Sequence, residues 1–309
     1  MAKTGPIRGW ALSAAAAALL LPGAALAHRQ WMQPSATVLS GNDAWVTVDA
    51  AVSNDLFYFE HVPMRLDGVK AFAPDGHEVA LENPSTGHFR SVFDVHLTQQ
   101  GTYRIVSAMT GVMGRYVLNG ETHRLPRGLT RDTLAAAIPA GASDVRTVEM
   151  ASRNELFVTL GAPTPVSQPT GVGLEMVPVT HPNDLYAGEA ARFRFLLDGK
   201  PAADLPVTVI PGGIRYRDSL GQMDLKTGKD GMLTVTWPTA GLYWLNASVG
   251  GGREGGPDGS EDGAPGGKGA AAAEAPGAGN KAPAGAGAVP AGVPPRRASY
   301  VAVLEVLAN

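Results

Sequence analysis

Histidine is the residue type in this chain whose placement suggests chemistry. There is no cysteine, and six of the seven histidines, His28, His61, His77, His88, His96 and His123, lie in the first half. No nucleophile elbow G-x-S-x-G, phosphate-cradling G-x-x-x-x-G-K-[ST] or dinucleotide G-x-G-x-x-G in a strand-to-helix setting occurs, so those chemistries have no carrier. Neutral imidazole remains, a ligand for copper, nickel and cobalt. His28 stands out because it follows the small-residue sequence Ala25-Leu26-Ala27. Cleavage after Ala27 gives it an α-amine, which with imidazole Nδ1 closes a six-membered chelate ring. The reference pKa of such an amine, about 7.7 to 8.0, lets a metal displace its proton. One more imidazole completes three nitrogens in a T, suited to copper and accepted by nickel or cobalt.

His61, in SNDLFYFEHVPM (residues 53–64), is the first choice for that ligand and His96 the second. Read as a strand, the run places Asp55, Phe57, Phe59 and His61 on one face and Glu60 on the other. In HFRSVFDVHL (88–97) the alternation puts Phe89, Phe93, Val95 and Leu97 on one face and His88, Arg90, Asp94 and His96 on the other. His88 and His96 are then about 26 Å apart and cannot share an ion, whereas Asp94 and His96, about 6.6 Å apart, can. Asp55, Glu60 and Asp94 are candidate oxygen ligands or orienting partners. The plainer reading of any one histidine is a surface or hydrogen-bonded structural residue. Likewise, a signal peptidase leaves every residue type at new termini. His181 precedes a proline and reads as the entry to a strand. The IRYRDS run (214–219) reads as a solvated strand or salt bridge rather than an anion site.

The elements that must position these residues are strands. Short alternating runs recur between Gly, Pro, Asn and Asp: AWVTVDA, HFRSVFDVHL, TYRIVSAM, ELFVTL, ARFRFLL, LPVTVI, MLTVTW, LYWLNASV and YVAVLEVL. Only LTRDTLAAAI (129–138) has a helical pattern, stopped by Pro139. The expected fold is all-β, two antiparallel sandwich domains, immunoglobulin-like or transthyretin-like, over residues 28–162 and 170–309 with a seam in GAPTPVSQPT. The order strand, DGKP turn, strand, KDG turn and Gly-Leu-Tyr return gives the second a carboxypeptidase-regulatory-like pattern. Residues 250–297, rich in Gly, Ala and Pro, bury too little to order and form an insertion before the closing strand YVAVLEVL.

Residues 1–27 carry Lys3 and Arg8, an apolar block from Trp10 to Leu21 and a Pro-Gly break, the pattern of a secretory signal peptide cut after Ala27. The apolar block is short of the ~20 residues that span a bilayer, and no later segment is long and apolar enough. A periplasmic protein without stable membrane insertion is expected. Absence of cysteine excludes disulfides and a lipid anchor on cysteine. The net charge of −3 argues against a nucleic-acid partner, which selects a basic patch.

Together AHRQWMQPSATVLSG, SNDLFYFEHVPMRLDGVKAFAPDG, RSVFDVHLTQQGTYRI, GVGLEMVPVTHPNDLYAGE, FLLDGKPAADLPVTVIPGGIRYRD and GLYWLNASV resemble the bacterial exported family catalogued as domain of unknown function 4198. The resemblance covers nearly all of the chain after residue 27 except the Gly/Ala/Pro insertion. It implies a periplasmic component of cobalt or nickel uptake, similar to the NikM-type proteins, with His28 and His61 in the matched text and His181 as well. Residues and resemblance converge on one expectation: a non-enzymatic binder of copper, nickel or cobalt, held by His28 and His61 with His96, Asp55, Glu60 or Asp94 in support. It would hand its ion to a membrane transporter or outer-membrane receptor. The rivals are a copper-dependent oxidative enzyme using the same terminal histidine and a non-catalytic sandwich module, because sandwiches host all three.

Overall fold

Alternation of apolar and polar residues sets the strand pairing, and β8 (Ser91–Leu97) is the clearest case, with Ser91, Phe93, Val95 and Leu97 buried and the residues between them half-exposed. The computed structural model describes residues 28–166, 168–250 and 295–309. The expected signal peptide and residues 251–294 of the insertion lie outside the described residues. The first half forms β1 (Arg29–Pro34), β2 (Val38–Leu39), β3 (Ala44–Ser53), β4 (Val62–Pro63), β5 (Val69–Phe72), β6 (Glu78–Val79), β7 (Glu82–Thr86), β8, β9 (Gly101–Leu118), β10 (Glu121–Arg124), the short helix α1 (Arg131–Leu134) and β11 (Ser143–Leu160). The second forms β12 (Leu174–Pro178), β13 (Ala190–Leu197), β14 (Lys200–Pro201), β15 (Pro206–Pro211), β16 (Met223–Lys226), β17 (Met232–Thr236), β18 (Gly241–Val249) and β19 (Arg296–Val306). Among the described residues no helix is long and apolar enough to cross a membrane.

The fold is an all-β sandwich built from three sheets. One has the order β1-β3-β8-β7, with β4 on β3; a second has β12-β13-β14, with β17 on β13. Between them runs a ten-stranded sheet, β16-β15-β18-β19-β11-β9-β5-β6, with β10 and β2 attached. That sheet is continuous across the two halves because β11 pairs with β9 antiparallel and with β19 in parallel. YVAVLEVL is therefore a closing strand, as expected, and it reaches back to Arg296, so Arg296 and Arg297 of the insertion are already strand.

Strand β11 serves two cores. Leu156, Val158 and Leu160 pack with Tyr103, Ile105, Phe93 and Val95 of the first half. Phe157, between them on the opposite face, packs with Phe193, Phe195, Trp237 and Tyr300 of the second. A strand covered on both faces loses the polar-out pattern, and residues 153–160 are buried without a break. A third cluster, Trp31, Ala51 and Leu56 against Ile210, Trp244, Val301 and Val303, fills the junction where the end of β1 lies over β18 and β19. An ionic group lies in this interior: Arg153 meets Glu155 at 3.2 Å and Glu175 at 3.3 Å, and the Tyr300 hydroxyl donates to Glu155 at 2.9 Å, while the Arg153 Nε is buried without a partner.

Three local readings change. Residues 88–90 form a turn, with the Gly87 N–H donating to the Arg90 carbonyl, so Phe89 is exposed instead of core-facing. Residues 54–61 are a loop, not a strand: the Tyr58 N–H donates to the Asp55 carbonyl, and Phe57 takes a left-handed φ of 66°. The shared face of Asp55, Phe57, Phe59 and His61 therefore does not exist. The helical pattern at 129–138 is real but brief, one turn of α-helix followed by a 3-10 turn at Ala135–Ala137.

Candidate functional site

Strand β3 places the two candidate histidines. On one side β1 begins with Arg29 opposite Ser53, and on the other β4 begins with Val62 opposite Val52. His28 and His61 each sit one residue outside these paired positions. Their rings meet around the end of β3, stacked with centroids 3.7 Å apart and planes 11° from parallel. Burial pushes the His61 imidazole below its usual pKa, the nearby His28 adds to this, and Glu60 opposes it. A depressed pKa keeps the ring neutral at neutral pH, the form that donates a lone pair.

The loop that delivers His61 is pinned from above and below. Leu56 is fully buried in the junction cluster, and Trp31 packs edge-on to Phe57 at 5.4 Å and against Phe59 at 5.5 Å. The Asp55 N–H donates to the Glu60 carboxylate at 2.7 Å, closing the loop on itself. From the second half, Arg215 bridges both acids: Nε donates to Asp55 Oδ2 at 2.8 Å and a terminal nitrogen to Glu60 Oε2 at 2.5 Å. The guanidinium also lies 4.1 Å from the Tyr58 ring centroid, a cation–π contact. Arg215 belongs to a 3-10 turn, Ile214–Tyr216, so IRYRDS is a clamp and not a strand. Its neighbour Arg217 spends its donors on the carbonyls of Pro211, Gly212, Ser219 and Leu220.

Of the six predicted site residues, then, His28 and His61 come together, and Asp55 and Glu60 stand beside them in ion pairs with Arg215. His96 and Asp94 do not join. His96 lies on β8 opposite Trp45, stacks on that indole at 4.2 Å and bonds to Asp43. Trp45 is eight strand residues from Ser53, about 26 Å. Asp94 accepts from Thr47 at 2.7 Å and Asn83 at 2.9 Å, bonds that lower its pKa. His181 is structural: Nε2 lies 3.1 Å from the Thr164 carbonyl and 3.0 Å from Thr102 Oγ1, and Nδ1 accepts from the Asn183 N–H.

Among the described residues no group of three or more His, Cys, Asp or Glu side chains is arranged to hold a metal ion. The side chains thus offer two imidazoles, and cleavage of the Ala27–His28 bond would add the His28 α-amine as a third nitrogen. That donor set fits a nitrogen-preferring transition ion and does not fit calcium or magnesium, which take oxygen. The salt-bridge reading of IRYRDS holds for Arg215, but its partners could not be read from the sequence, since it is 160 residues from Asp55 and nothing local marks the pairing.

No curated protein matches the chain. Among solved structures, Escherichia coli alpha-2-macroglobulin activated by porcine elastase is 10% identical with a TM-score of 0.18, covering 72% of this chain and 29% of that one. The Bacillus anthracis TIE protein is 12% identical with a TM-score of 0.16, covering 71% of this chain and 34% of that one. This chain thus spans about a third of either neighbour. Residues 25–251 match the model of the family described as Domain of unknown function (DUF4198), and the chain belongs to that family.

Proposed function

We propose that this protein is exported and binds a transition metal, nickel, cobalt or copper, for uptake or delivery. His28 holds the ion through its α-amine and imidazole and His61 completes the nitrogen set. The observation that carries this reading is the contact between the two imidazoles, 3.7 Å apart at the end of β3. A burial-depressed His61 in a pinned loop supports it, because the ligand is neutral and held in place before the ion arrives. Asp55 and Glu60 orient the loop through Arg215 and leave the ion to nitrogen. The test is calorimetry on protein recovered after export, with its terminus read by intact mass. One ion per chain with His28 as first residue is the expected result; no uptake of copper, nickel or cobalt, or a mature chain starting elsewhere, overturns the proposal.

A copper-dependent oxidative activity is a second reading, favoured by exposed aromatic residues in and against the loop that carries His61: Phe59 is 36% exposed, and Tyr216, 84% exposed, meets Tyr58 of that loop edge-on. Ascorbate-driven oxygen consumption by copper-loaded protein, abolished in His28→Ala, is its signature; copper binding without that consumption excludes it.

A further inference from the structure

The ribbon formed by β9 and β11 runs on past the first sheet, and its core-facing row changes character there. Tyr103, Ile105, Leu156 and Val158 on this face are buried in the first core. One rung further, Met64 covers Asn154, its sulfur 4.0 Å from Nδ2. Beyond that rung the same face presents Met109 and Met113 from β9 and Met150 from β11. Met150 is directly opposite Gly111, Met109 opposite Ser152 and Met113 opposite Val148, with no register shift between them. Met109 is 53% exposed, Met113 40%, and Met150 is half-buried.

Spacing decides what three thioethers placed this way can do. Met109 and Met113 are four residues apart on one strand, about 13 Å, too far to meet each other directly. Met150 is diagonal to both, about 7 to 8 Å between backbones, within reach of flexible side chains. Gly111 contributes no side chain at the centre. Thioether sulfur selects soft, monovalent ions. Nearby positive charge acts in the same direction: Arg115 lies one rung past Met113, opposite Arg146, whose own charge is offset by Asp144 at 3.0 Å, and Arg297 is opposite Met150 on β19. Their repulsion scales with the ion's charge, twice as strong for a divalent ion as for a monovalent one.

We infer that Met109, Met113 and Met150 form a second metal site, selective for a soft monovalent ion, copper(I) or its redox-inert analogue silver(I), with Met150 as the shared ligand. This site is independent of the His28 chelate. The test is silver(I) titration of the full chain carrying ¹³C-labelled methionine methyl groups, in chloride-free buffer, followed by NMR. The methyl signals of Met109, Met113 and Met150 should shift while those of buried Met32 and Met64 stay. Nickel(II) should leave all five in place. Met150→Leu conserves volume and should fold; it should abolish the shifts of the other two and weaken silver binding at least tenfold, since orienting partners of metal ligands alone are worth about 10- to 100-fold. His28→Ala and His61→Ala should leave the methionine response intact, which separates failure here from failure of the histidine site. Two results overturn the inference: no methyl shift at silver concentrations that saturate a methionine peptide, or shifts of Met109 and Met113 that persist in Met150→Leu.

Discussion

Two imidazoles in parallel contact cannot both carry a proton without repulsion, and the depressed pKa of His61 follows from its burial first and from His28 second. If this pair is the metal site, His28→Ala and His61→Ala should each weaken nickel or copper binding by at least about 100-fold by calorimetry, beyond what loss of a supporting partner costs. His96→Ala should leave binding unchanged, because its ring is committed to Trp45 and Asp43 at the far end of β3. A different histidine governs a pH effect on stability. Burial lowers the His181 pKa below its reference of 6.5, against the Thr164 carbonyl and Asp184, which raise it. Above about 6.5 the ring is neutral in both folded and unfolded chains and its environment imposes no penalty; as pH falls below that value the unfolded chain takes up the proton first and stability drops until the folded-state pKa is passed. His181→Gln should therefore show a smaller fall in thermal midpoint between about pH 7.5 and about pH 5.5 than the parent chain.

The element that matters most is the loop between β3 and β4. Its aromatic run resembles a core strand in sequence, yet Leu56 enters the junction cluster, Phe57 adopts a positive φ, and Asp55 and Glu60 turn to one arginine. Replacing Arg215 by Met leaves two carboxylates without their shared cation. With the three side chains 25 to 44% exposed and screened by solvent, the loss of global stability should be small. The sharper readout is local: amide exchange across residues 54–61 should accelerate, and metal affinity through His61 should fall with it. Trp31→Ala acts on the other side of the loop. It empties a fully buried indole site and should cost about 3 to 5 kcal/mol in denaturant unfolding.

At the scale of the whole molecule, the middle sheet makes the halves interdependent. Leu156 and Phe157 are neighbours on β11 that pack into different cores. Leu156→Ala should cost about 2 to 5 kcal/mol and Phe157→Ala about 3 to 5 kcal/mol. Each should move a single unfolding transition, whether followed through Trp237 in the second core or Trp31 at the junction; two separate transitions would mean that the halves fold independently despite the shared strand. The strands themselves were legible because alternation is local: AWVTVDA, LYWLNASV and YVAVLEVL are β3, β18 and β19. Short edge strands such as β6 and β14 were not, since two paired residues leave no periodicity to read.

Composition and alternation by themselves determined an all-β chain without disulfides and singled out His28 and His61 as a pair to watch, because these depend on residue type and on order within a few positions. Tertiary structure alone decided which ligand candidates meet. His96 and Asp94 share a face but lie at the wrong end of β3, and Asp55 and Glu60 face an arginine 160 and 155 residues away. It also decided that β11 joins β19 in one sheet and that three methionines from two strands share an exposed face. Such contacts are set by register and packing between segments distant in the chain, and no local pattern records them.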